Sequence, residues 1–272
     1  MPSRILDLPP ADSENTYLEM GGICDTLRPL PNLNRRVPRA VAFQSLQPIR
    51  ELRRPEFVKA WYDCVKCHYH VWKEGIQHRD PSLANLMYYK DSDGTVHGIL
   101  NDWDLGNIAG EHTYVERTGT IPFMPLALLN IKYWDGKIAR TYYHDLESFV
   151  WVLVFEFLSF GEDRERHKVG PRPADTWETG DYEECRKEKL DFVIDGMEKE
   201  DIAEAWKDDW PLAQELIAVT AGAWVSRLPA LNFRRQRTRV RLEPEPVIDP
   251  TSDDTYYKTI IEAIEDYGYS VQ

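Results

Sequence analysis

A chain of 272 residues can form one large domain or two ordinary ones. Its 46 acidic residues outweigh 33 basic ones, and a net charge of −13 disfavours nucleic acid as a partner. Hydrophobic residues at 42% and aromatics at 12% suffice for a buried core and argue against a wholly disordered chain. Four cysteines, Cys24, Cys64, Cys67 and Cys185, are too few for a disulfide framework at this length. The first residues lack an uninterrupted apolar stretch of the signal-peptide kind, and no run of about 18 apolar residues occurs anywhere. The chain therefore reads as soluble and intracellular, cytoplasmic or nuclear, with no membrane partner.

Residues 1–40 read as an irregular Pro-rich extension. Pro9, Pro10, Pro29, Pro31 and Pro38, with Gly21 and Gly22, interrupt them too often for long helices or a central sheet. Val41, Ala42, Phe43 and Leu46 suit a short strand ending near Pro48. Phe57, Trp61, Val65, His68 and Trp72 then recur at helical spacing behind Pro55. The spacing predicts a helix over 55–74, stopped by Gly75. Residues 85–89 and 95–100 read as the two strands of a hairpin, whose turn carries the Asp93-Gly94 step. Residues 103–140 mix Gly, Pro, Thr and apolar residues without a sustained period, as a long ordered loop with short helical turns does.

Phe149–Leu158 is apolar nearly all round. Its length and the polar start at His144–Ser148 favour a buried helix over a strand. Further helices are expected near 182–207 and 211–227. Residues 231–250, first Arg-rich and then Glu/Pro-rich, read as a linker. A last helix is expected from about Asp254 to Tyr267, with Tyr257, Ile260, Ile261 and Ile264 as its packed face.

Chemistry concentrates between the first helix and the end of the hairpin. His78-Arg79-Asp80 follows the helix, Asn85 stands five residues beyond the Asp, and Asp102-Trp103-Asp104-Leu105-Gly106 closes the second strand. This order resembles the catalytic and metal-binding loops of protein kinases. Phosphoryl transfer needs a carboxylate beside the acceptor hydroxyl, and an amide plus a second carboxylate holding Mg²⁺ on the phosphates. The resemblance gives Asp80 the first role, Asn85 the second and Asp102 the third. Asp104 competes with Asp102, and the strand decides between them. Leu100 lies two residues before Asp102 and suits an inward position, where the choice of Asp104 would place the charged Asp102.

Downstream, Arg117-Thr118-Gly119-Thr120-Ile121-Pro122-Phe123-Met124 resembles the end of a kinase activation segment, and His144-Asp145-Leu146-Glu147-Ser148-Phe149 resembles the family's central helix. Across residues 41–230 the chain is most similar to the fungal-type protein kinase family. The resemblance implies a protein-kinase-like, mainly α C-terminal lobe with short β-hairpins over residues 41–230, followed by the linker and helix of 231–272. It implies that Arg79 anchors the activation segment, that Thr120 positions Asp80 through its hydroxyl, and that His78 and Asp145 are structural, with Asp145 tying the backbone of the catalytic loop. If the chain is active, its cofactors are ATP and Mg²⁺, and its reaction is transfer of the γ-phosphoryl group to a protein Ser or Thr.

The resemblance stops at the lower lobe. No Gly-x-Gly-x-x-Gly precedes the catalytic loop, and no lysine precedes Lys59, which belongs to the first helix. About forty residues cannot build a five-stranded lobe, given strands of about 5–6 residues plus turns and a helix. The N-terminal lobe is thus expected to be missing or vestigial. Ser82 stands where Ser/Thr kinases usually carry a Lys, and Asp104 occupies the Gly position of the usual metal-loop motif. Pro125-Leu126-Ala127 replaces the family's Ala-Pro-Glu, which removes a buried ion pair that would anchor the lower lobe.

Two other patterns carry less. Cys64-Val65-Lys66-Cys67-His68 matches the c-type haem attachment pattern, but its residues fall on one helix with no axial partner, and zinc would lack a fourth ligand. Neither haem nor zinc is expected. The run Arg234, Arg235, Arg237, Arg239 and Arg241 reads as a solvated or internally paired linker. Two rival functions remain: a non-catalytic pseudokinase or interaction module, and a small-molecule kinase of the aminoglycoside- or choline-kinase type. The second is disfavoured by Arg79 and the Gly119–Met124 segment. The protein substrate or partner and the oligomeric state are not encoded in any pattern found.

Overall fold

Proline and glycine set the ends of the first helix. In the computed structural model, which describes residues 45–108, 118–130, 140–161, 172–195, 202–221 and 250–269, helix α1 spans Glu56–Lys73. It begins after Pro55 and stops where Gly75 takes φ +83° and its N–H bonds the carbonyl of Trp72. Phe57, Trp61, Cys64, Val65 and His68 form its buried face. The described elements all lie in one unit, Leu46–Gln272.

The hairpin consists of β3 (Leu86–Lys90) and β4 (Val96–Leu100), antiparallel with Leu86 opposite Leu100 and Lys90 opposite Val96. Asp91 closes the turn by accepting the backbone N–H groups of Asp93 and Thr95. Of the short strand expected to end near Pro48, the described residues show its last two positions. Strand β1 is Gln47–Pro48, paired with Met87 and Tyr88 at the edge of the sheet, where proline forfeits no ladder bond; residues 41–44 lie outside the described residues. Gly98 lets β4 lie directly on α1, since a methyl group there would collide with the Ala60 carbonyl.

A second, two-stranded sheet was not expected. Strand β2 (Ile76–Gln77) pairs antiparallel with β5 (Asn107–Ile108), drawing the two chemistry-bearing loops together at their outer ends. Strands of two residues carry no periodicity, so sequence patterning cannot mark them.

After the 3-10 turn Ile121–Phe123 and the short α2 (Leu126–Leu129), helix α3 runs Tyr142–Ser159 with every residue buried. It starts two residues before the expected His144, because Thr141 and His144 cap it reciprocally. Helix α4 (Tyr182–Asp195) does not continue to residue 207 as expected: 196–201 lie outside the described residues, and Glu204–Trp206 is a 3-10 turn tied to α3 by the Ala203 N–H on the Phe157 carbonyl. Helix α5 covers residues 210–221, and α6 spans Pro250–Asp266. Helix α6 packs on α1, with Tyr257 stacked on Tyr69 at 3.6 Å and Ile260 and Ile264 fully buried. Residues 1–44 and the linker over 231–249 lie outside the described residues. Among the described residues, no helix is long and apolar enough to cross a membrane.

Candidate functional site

The loop from Gln77 to Leu86 is held from three sides. Buried His78 accepts the Asp80 N–H at Nδ1 (3.2 Å), so its proton sits on Nε2 and is donated to the Asn101 carbonyl (2.9 Å). Burial pushes the pKa of His78 down, and the neutral ring keeps this bridge. The Trp103 ring packs edge-on against His78 at 4.6 Å. The loop carrying Asp80 and the loop carrying Asp102 are thus joined through one imidazole.

Asp80 is held most closely at one oxygen. Thr120 donates both its N–H (2.7 Å) and its hydroxyl (3.0 Å) to Asp80 Oδ1. Asn85 Nδ2 donates to the Asp80 carbonyl (2.9 Å) and approaches Oδ2 at 3.5 Å, which fixes the amide and leaves Asn85 Oδ1 as its outward acceptor. The Asn101 N–H bonds the Asn85 carbonyl at 2.9 Å, so exposed Asp102 follows directly on the residue paired with Asn85. Leu100 is buried, as an inward position two residues before Asp102 demands.

The two non-glycine residues with positive φ among the described residues are Arg79 (+73°) and Asp102 (+60°), one in each loop. Such backbone costs about 1–2 kcal/mol per residue and persists where surrounding bonds over-determine it. An amide oxygen and a carboxylate on adjoining strand ends are hard donors of the kind Mg²⁺ takes alongside water and phosphate oxygens. Among the described residues no group of three His, Cys, Asp or Glu side chains could hold a metal.

Beneath the loops lies Asp145, fully buried in the first turn of α3. Its Oδ2 accepts the Arg79 N–H (3.0 Å) and faces His68 Nε2 (3.0 Å), while Oδ1 accepts Arg140 Nε (3.0 Å). Burial alone would push this carboxyl up, but the Arg140 guanidinium, His68 and the Arg79 N–H together hold it well below the usual carboxylate range. Arg140 also donates to the Thr118 carbonyl at 2.9 Å. It therefore links the helix to the segment bearing Thr120, a tie that no local pattern marks. Arg79 is expected to anchor the activation segment, of which residues 109–117 lie outside the described residues.

The Gly119–Met124 segment closes on itself. Gly119 has φ +136°, and a Cβ there would lie 2.9 Å from the Met124 side chain. In place of the ion pair that the missing Ala-Pro-Glu would have supplied, two buried side chains hold the main chain next to it. Glu147 Oε1 accepts the Leu126 N–H at 2.7 Å, and Lys189 Nζ donates to the Met124 carbonyl at 2.9 Å, both side chains fully buried. The charges come from α3 and α4 rather than from the segment itself, so the missing Ala-Pro-Glu gave no sign of them. His68, whose pattern suggested a metal or haem ligand, is instead bonded to Asp145 and stacked on Tyr142 at 5.3 Å. Cys64 is buried beside it on α1, where burial pushes its thiol well up.

Comparison with known families gives one match. Residues 10–157, just over half of the chain, match the family described as Fungal protein kinase. No curated protein matches the sequence.

Proposed function

The chain belongs to the fungal protein kinase family, and on that premise we propose that residues 41–230 are the lower lobe of a phosphotransfer site, with transfer impaired in this stretch of chain. The carrying observation is the constraint on Asp80: Thr120 occupies Oδ1 with two donors at 2.7 and 3.0 Å, while Oδ2 receives only the long 3.5 Å approach of Asn85 Nδ2 and is the oxygen available to an acceptor hydroxyl. In this reading Asp80 orients the hydroxyl of a protein Ser or Thr and holds its proton at Oδ2. Asn85 and Asp102 would hold Mg²⁺, which neutralises charge on the phosphates of ATP. Arg79 and His78 keep the loop in register on Asp145 and Asn101. Residues 1–40 are an extension and 231–272 a linker with a packed helix.

Impairment follows from what residues 1–79 do not contain. There is no Gly-rich loop and no lysine before Lys59, whose ammonium is engaged with the Val96 carbonyl at 2.6 Å. Catalysis of this transfer is mostly positioning and electrostatic stabilisation, and one lost preorganised contact costs about 3–4 kcal/mol. Calorimetric titration with Mg²⁺·ATP beside radiolabelled transfer to a generic protein substrate tests the reading, with Asp80→Ala as control. Weak or absent binding and background transfer are expected. Micromolar affinity with transfer abolished by Asp80→Ala would overturn the impairment while supporting the site.

A further inference from the structure

Two of the most deeply buried charges in the described residues serve no role in the site as proposed. Glu147 and Lys189 are both fully buried, on α3 and α4, and both point at the backbone between Met124 and Leu126. Glu147 Oε1 also accepts the indole N–H of Trp151 at 3.0 Å, and the Lys189 ammonium lies 4.4 Å from the centre of the Trp151 ring and 5.6 Å from that of Trp177. Leaving a charge in such a place is costly unless it is bonded, and here each is bonded to main chain rather than to solvent.

We propose that Glu147 and Lys189 are positioning residues, a pair of opposite charges that grips the main chain at Met124–Leu126 from two sides and so keeps Thr120 on Asp80. This rests on the reading of Asp80 as the hydroxyl-positioning carboxylate. The path from grip to site is short and stiff. The Phe123 N–H bonds the Thr120 carbonyl at 2.8 Å, and the Met124 N–H bonds the Ile121 carbonyl at 3.1 Å. The Phe123 ring meets Phe155 of α3 edge-on at 5.2 Å, and the Met124 side chain packs against Gly119, the neighbour of Thr120. Cys185, one turn before Lys189, adds a contact to the Ile121 carbonyl at 3.6 Å. With Met124 and Leu126 fixed, Thr120 has little freedom to leave Asp80.

Amide hydrogen exchange of the full chain, resolved at Thr120 and Leu126, tests this in wild type, Lys189→Met and Glu147→Gln. Both amides are expected to exchange about tenfold faster in each variant, with the α1 amides within about twofold of wild type. Unchanged exchange at Thr120 in both variants, or an acceleration shared equally by α1, would overturn the proposal. Should Lys189→Met fail to fold, Glu147→Gln decides alone, since it keeps the volume and a carbonyl acceptor while removing the charge. Asp80→Asn supplies a readout that mere packing would not move. In that background Lys189→Met is expected to speed Leu126 but add nothing further at Thr120, whereas independent increments at Thr120 would refute the coupling. None of these measurements needs phosphoryl transfer, so an inactive chain leaves the inference standing, and an unchanged Thr120 leaves the reading of Asp80 standing.

Discussion

Replacing Asp145 by Ala should be among the most damaging single changes in this unit, and its size can be worked from three bonds. The carboxylate is 0% exposed and receives Arg140 Nε, the Arg79 N–H and His68 Nε2, each at 3.0 Å. Without it, a guanidinium 8% exposed and a fully buried imidazole lose their partner, and Arg79 loses the bond that holds its positive φ. Breaking one partner of a buried charged pair costs about 3–5 kcal/mol. At about 2–4 °C per kcal/mol for a unit of this size, the melting midpoint should fall by about 10 °C. Urea unfolding followed by fluorescence and near-ultraviolet dichroism measures the loss. The pH dependence gives an independent check. Because the folded-state pKa of Asp145 lies well below its unfolded value, its contribution is complete above about pH 5 and is lost progressively as acid approaches the folded pKa. Asp145→Asn should therefore trail wild type at neutral pH and converge with it on acidification. A loss under about 1 kcal/mol for Asp145→Ala would refute the reasoning, as would a wild type–Asn gap that stays constant with pH.

Lys189 gives a pH signature of the same sign in an alkaline window. Burial pushes its pKa down to about 8, so above that value the unfolded chain holds this proton more firmly than the folded one. Stability referenced to Lys189→Met should thus rise between about pH 8 and about pH 10.5, by about 3 kcal/mol, and a flat difference would contradict the burial of a charged lysine. Gly98→Ala should cost about 3 kcal/mol in urea unfolding, because the added methyl group meets the Ala60 main chain rather than a side chain that can move.

What the sequence determined by itself was the part written in local patterns. The apolar stripe of α1, the Asp93-Gly94 turn and the uninterrupted apolar run of α3 each follow from residues within one element. So does the order of His78-Arg79-Asp80, Asn85 and Asp102 around a hairpin, which led to the family. Tertiary structure decided which distant side chains support them. Arg140 and Lys189 carry no mark in sequence, and His68 and Glu147 stand in expected helices without a named partner, because a charge carries no mark of whether burial will strip its water. Only packing places His68 on Asp145, 77 residues away, and Lys189 on Met124, 65 residues away. The pairing of Ile76–Gln77 with Asn107–Ile108 is likewise invisible locally, since two residues cannot show a period. Local pattern fixes which face of an element is apolar, whereas the partner of a buried charge is fixed by whichever element that face comes to lie against.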